Sequence, residues 1–116
     1  MAFAQQTARI VQEIKVHVND TEWTPLQAST NYPATGGETT PLKNRFAIKV
    51  FNVAQGATSR LGLSYDNTVG LKDAKQWLGV GEVMVDPVGP GLILYGRGKP
   101  AAGTNSMRIM VTEYGQ

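Results

Sequence analysis

The chain has no cysteine in its 116 residues and a single histidine, His17. The first absence excludes disulfide staples, thiolate zinc sites and cysteine nucleophiles together, so packing must supply the stability. The second leaves a serine hydrolase or a zinc site short of the partners its chemistry needs, and His17 reads as an ordinary residue on the polar side of "KVHV". Long apolar runs are missing too: nothing approaches the roughly 18 residues of a membrane span, and "MAFAQQTARIVQEIKVHVND" lacks the apolar core of a signal peptide. A protein made and kept in a cytosol, or assembled there into something larger, with no membrane partner, is expected. Charge is scarce at 17% of residues and nearly balanced, 11 basic against 9 acidic. Arg9, Lys15, Lys43, Lys49, Arg60, Lys72, Lys99 and Arg108 are scattered along the chain, so no basic face for nucleic acid is expected. So little charge suggests instead that part of the surface meets a partner.

What is present is alternation. In "RFAIKVFNV" the residues Phe46, Ile48 and Val50 fall on one face and Ala47, Lys49 and Phe51 on the other. "SMRIMVTEY" sets Met107, Ile109 and Val111 against Arg108, Met110 and Thr112. "RLGLSY" and "GEVMVD" repeat the pattern, and "GLILY" is a short apolar run bounded by glycine. These five segments read as strands, with Phe46, Phe51 and Tyr95 as core candidates. Turn residues separate them in "AQGAT", "YDNTVG", "DPVGPG" and "GRGKPAAGTN". "LKDAKQWLG" departs from the pattern, because Leu71, Ala74, Lys75 and Leu78 also share a helical face; a turn or two of helix is an open alternative there.

The segment "YGRGKP", residues 95–100, raises the question of a phosphate loop. A Walker loop needs G-x-x-x-x-G-K-[ST] leading into a helix, and Pro100 after Lys99 forbids that helix. The dinucleotide pattern G-x-G-x-x-G fails as well, since Ala101 stands where the third glycine belongs. No cofactor or metal is expected. The nine carboxylates lie mostly in turns or on polar faces, no calcium-loop spacing occurs, and no nucleophile, base and orienting group assemble into a catalytic set. The chain is read as a non-enzyme.

In the first forty residues, "ARIVQEIKVHV" alternates, and the reading adopted is an extended arm over residues 1–14 feeding a strand from about Glu13. "TEWTPLQAS" reads as an edge strand because Pro25 donates nothing to a ladder. Residues 30–42 carry no apolar period and read as an exposed loop. The fold class expected is all-β: a single antiparallel β-sandwich, jelly-roll-like, over residues 15–116 with the arm before it. Phe3, Ile10, Val11 and Ile14 give the arm more apolar surface than a free tail should expose. Burying each is worth about 1.5–3 kcal/mol, so these four are candidate partner-binding residues. Trp23, Tyr32 and Trp77, in or beside loops, are the others; rigid aromatics in such places serve protein or carbohydrate recognition or cap a core.

The order of these segments resembles a recurring pattern in small structural proteins of tailed-phage virions. "P-L-x-x-R" (Pro41 to Arg45) precedes a strand ending in Asn52, "G-E" (Gly81, Glu82) opens another, "L-Y-G" (Leu94 to Gly96) closes the next, and "R-I-M-V-x-E" (Arg108 to Glu113) forms the last. The resemblance spans roughly residues 22–115; "LKDAKQWLGV" and the segment before Val16 depart from it. It implies a capsid decoration, or cement, protein on the capsid exterior, assembled in the host cytoplasm. Its partner would be the major capsid protein, and no catalytic residues come with it. Self-association as a homotrimer is expected from poorly charged edge strands and three-fold joints in a shell. The alternative is a receptor- or carbohydrate-binding module of a phage fibre built on Trp23, Tyr32 and Trp77.

Overall fold

A computed structural model of the chain describes residues 7–16, 22–27, 41, 44–54, 56, 58–99 and 107–115; for Thr7–Val16 it describes the backbone pairing. Eight strands follow in order: β1 (Thr7–Val16), β2 (Thr24–Pro25), β3 (Arg45–Asn52), β4 (Arg60–Ser64), β5 (Gln76–Gly79), β6 (Val83–Asp86), β7 (Tyr95–Lys99) and β8 (Met107–Gly115). They form two four-stranded sheets, β1-β8-β3-β6 and β2-β7-β4-β5. All pairings are antiparallel, and they nest: first with last, second with seventh, third with sixth, fourth with fifth. Two further pairings, β3 with β8 and β4 with β7, close the sheets. A long antiparallel ribbon folded over on itself in this way is the jelly roll, so the chain is the all-β sandwich that its alternation predicts.

The core lies between the sheets and is supplied by alternate residues of each strand. Ile48 and Val50 of β3, Met107, Ile109 and Val111 of β8 and Met84 of β6 meet Leu61 and Leu63 of β4, Leu78 of β5, and Leu26 and Leu94 flanking β2 and β7. The edge position expected for "TEWTPLQAS" is the one β2 takes.

Several local readings are corrected. The segment 71–79 holds one 3-10 turn, Leu71–Asp73, and then β5. Leu71 and Leu78 are both buried, but by different surroundings: Leu78 is in the core, whereas Leu71 lies against Gly62 of β4. "GLILY" is not a strand; β7 begins at its last residue, Tyr95. Phe46 leaves the face it was expected to share with Ile48, because the ladder slips between Arg45 and Ala47. That extra residue reverses the alternation, so Phe46 is 43% exposed and Arg45 is buried. Phe51 and Tyr95 are half-buried. The strand expected from about Glu13 begins at Thr7, so residues 7–14 of the expected arm pair with β8 of the same chain.

Candidate functional site

The densest polar arrangement among the described residues is internal. Arg45, turned inward by the bulge, forms an ion pair with Glu113 of β8 (Nη1 to Oε2, 3.0 Å) in which both side chains are fully buried. The guanidinium spends its remaining donors on nearby acceptors. Nε donates to the Val88 carbonyl at 3.3 Å, Nη1 also to Gln27 Oε1 at 3.4 Å, and Nη2 to the carbonyls of Gly89 and Leu92 at 2.7 and 2.5 Å. Gln27 in turn accepts from the Leu94 amide (2.6 Å) and donates to the Leu94 carbonyl (3.2 Å). One charged group thus ties the β6–β7 connection to the last strand. A buried charge is tolerated only when paired and hydrogen-bonded, which is the condition met here.

Arg45 and Glu113 are the arginine and glutamate of the "P-L-x-x-R" and "R-I-M-V-x-E" segments, and the other residues of that pattern are structural as well. Asn52, fully buried, donates from Nδ2 to the Leu78 carbonyl of the facing sheet (3.0 Å) and accepts from the Ala54 amide (3.0 Å). Glu82 accepts the Gly79 amide at 2.5 Å. Gly96 faces Leu26 so closely that a Cβ there would lie 2.7 Å from its side chain. "YGRGKP" is therefore answered: Gly96 and Gly98 are the inward positions of β7, and Arg97 and Lys99 point the other way. Gly98 has backbone beside it, with the Arg60 carbonyl oxygen 2.2 Å from where a Cβ would stand.

Of the predicted partner-binding residues, Trp23 and Trp77 are brought together on the outer face of the β2-β7-β4-β5 sheet. Trp23 donates its indole N–H to the Val69 carbonyl (2.8 Å) and lies under the Arg97 guanidinium (5.5 Å), while Arg60 lies over Trp77 (5.1 Å). Both are half-buried. Ile10, Val11 and Ile14 occupy β1, at register positions opposite Glu113, Thr112 and Ile109. Phe3, Tyr32 and His17 lie outside the described residues, as do residues 1–6 of the arm and 30–40 of the loop.

Sequence reading did not single out the outer face of the other sheet. Val83 (49% exposed) and Val85 (59%) of β6 stand beside Phe51 and Lys49 of β3, which stand beside Met110 and Thr112 of β8. Phe46 and Tyr114 extend the patch, their ring centroids 6.5 Å apart. The charged residues at outward positions of β3, β6 and β8 are Lys49 and Arg108, both cationic. Lys49 lies within this face, between Val85 and Thr112, and Glu13 and Lys15 of β1 take the register positions opposite Met110 and Arg108. Exposed apolar residues grouped on one sheet face are a usual mark of a protein-docking surface. The signal is in Val83 and Val85 of "GEVMVD", apolar residues on the outward face of an edge strand whose inward face is already supplied by Met84.

Tyr65 and Asp66, among the described residues, are shifted from their ordinary ranges. Burial, reinforced by the hydrogen bond its hydroxyl donates to Asp86 Oδ2 (2.5 Å), pushes the Tyr65 phenol well above its usual range and links the two sheets. Asp66 is held below the usual carboxylate range by the hydroxyl and then the amide of Thr68, in a surface turn. Among the described residues no cluster of His, Asp and Glu has the make-up of a metal site. Comparison with family models, with curated proteins and with solved structures finds no match for this chain.

Proposed function

We propose that the chain is a structural protein of a virion, a decoration (cement) protein that seats on the major capsid protein shell and stiffens it. The observation that carries this reading is the outer sheet face on which Val83, Val85 and Phe46 are exposed beside half-buried Phe51 and Met110. A sheet face of this kind, backed by a rigid core, needs a second protein surface to cover it. The jelly-roll order adds support by architecture, since the same arrangement builds viral capsid domains as well as lectins and cupins. The internal polar residues are committed to holding the fold, as Arg45, Glu113 and Asn52 show by their partners. A ring of three copies at the three-fold joints is the assembled form, with the open edge of β2 as one candidate contact.

The carbohydrate- or receptor-binding alternative draws less support from Trp23 and Trp77. One face of each indole carries a guanidinium, and the Trp23 N–H is spent on Val69. The decisive measurement is quantitative mass spectrometry of gradient-purified virions from the source. Hundreds of copies per particle are expected, and absence from particles, or a few copies at a tail tip, overturns the reading.

A further inference from the structure

Arg60 of β4 and Lys99 of β7 are direct cross-strand partners, and both are exposed on the outer face of the β2-β7-β4-β5 sheet. Like charges placed opposite each other in an antiparallel pair destabilise it. Neither forms an ion pair with a described residue. On the next rung Arg97 is opposite Gly62, and Gly62 is opposite Trp77. Positions 60, 97 and 99, scattered in sequence, are thus gathered within two rungs by the nested pairing, with an indole under each arginine. The outward positions of β4 and β7 are Arg60, Gly62, Ser64, Tyr95, Arg97 and Lys99, without a carboxylate among them. The acidic residues nearby are Glu82, which accepts the Gly79 amide at the margin, Asp73 on the 3-10 turn, which follows Lys72, and exposed Glu22, which precedes Trp23.

We propose that this face binds single-stranded nucleic acid. Guanidinium and ammonium groups are donors only, which suits phosphate oxygens, acceptors only; a neutral sugar asks for acceptors too. Guanidinium planes held over the two indoles are surfaces on which unpaired bases stack without regard to sequence, and a duplex keeps those base faces hidden. The scatter of cations that argued against a basic face is undone by the topology. This site lies on the sheet opposite the apolar docking face and is independent of the shell-binding reading.

Both tryptophans of the chain lie on this face, so intrinsic fluorescence reports directly. The purified full-length chain is titrated with a thymidine dodecanucleotide at 50 mM salt and upward. Quenching is expected, with a log-log salt slope of about −2 for three phosphate contacts on a single strand, or roughly 16-fold weakening between 50 and 200 mM. Combining Arg60→Gln with Lys99→Gln, both surface changes, should weaken binding at least tenfold and reduce the slope to about −0.7. Lys49→Gln on the opposite sheet should leave it unchanged. The proposal is overturned by no quenching at 50 mM salt, by equal affinity for a 12-base-pair duplex or for heparin, which would mean charge alone, or by undiminished binding in the double variant. Val85→Lys distinguishes the two readings: it should abolish shell binding and leave oligonucleotide binding intact.

Discussion

Removing either half of the Arg45–Glu113 pair is the sharpest test of how this sandwich is held. Both side chains are fully buried, so Arg45→Met strands a carboxylate in the core and Glu113→Leu strands a guanidinium. Breaking a buried pair from one side costs about 3–5 kcal/mol. The two losses should not be equal. In Glu113→Leu the guanidinium keeps the carbonyls of Val88, Gly89 and Leu92 and Gln27 Oε1, which places it near 3 kcal/mol. In Arg45→Met the carboxylate loses its cation and the β6–β7 connection loses three tethers, which places it near 5 kcal/mol. For a domain of this size those figures correspond to melting temperatures roughly 12–20 °C lower. The double variant, with both charges replaced by apolar groups, should recover part of the loss, giving a coupling energy of about 2–3 kcal/mol. Urea unfolding followed by tryptophan fluorescence, with calorimetry as a second probe, measures all four corners of the cycle. Additivity within about 0.5 kcal/mol would refute the reasoning, because two groups in one buried network cannot act independently.

Gly98→Ala should destabilise by about 1–3 kcal/mol, since the new methyl meets the Arg60 backbone, whereas Gly91→Ala, with open space at its Cβ, should shift the midpoint far less. Equal effects in thermal melts would contradict the close approach of β7 and β4. Tyr65 binds its proton more tightly folded than unfolded, so it contributes stability below pH about 10 that declines as the pH rises further. Tyr65→Phe should flatten that alkaline decline while costing about 1 kcal/mol at neutral pH for the lost bond to Asp86; parallel pH–stability curves would count against it. Asn52→Ala, which unpairs the Leu78 carbonyl and the Ala54 amide, should cost about 1–3 kcal/mol in the same assay. Val85→Lys changes an exposed edge-strand residue and should leave stability within about 0.5 kcal/mol of the parent.

The parts of the fold legible in the sequence are those where a strand alternates cleanly between an apolar and a polar face. β4 meets that condition, as do most of β3 and the first half of β8; β6 is recognisable as a strand, but with Val83 and Val85 outside and Met84 inside its apolar residues do not say which face is buried. β7 does not, because Gly96 and Gly98 occupy its inward positions and leave no apolar residue to mark the alternation. β5 was obscured by Leu71, whose burial on the outside of β4 mimics a helical spacing with Leu78. Phe46 was misplaced by a bulge, a defect in register that no period-two count registers. Arg45 and Glu113 lie 68 residues apart; composition favours placing both outside, and only the pairing of β3 with β8 brings them together. The tryptophans stand out along the chain as candidate partner-binding residues, but their arginine neighbours come from other strands, so the chemistry of the face on which they lie half-buried is not readable from the sequence.

The nesting of the strands sets a timetable for a chain made from its N-terminus. β1 pairs with β8 alone, so the first strand to leave the ribosome waits for the last. Synthesis of the roughly 100 intervening residues takes about 5–20 s at 5–20 residues per second. Throughout that interval Thr7–Val16 is an alternating strand with its hydrogen-bonding groups unmatched, while the β4–β5 hairpin, whose partners are near neighbours in sequence, is free to close. On a crowded polysome the nearest complement to a waiting β1 is the β8 of a chain just ahead, and exchange of this one strand between copies would link them without a single new contact type.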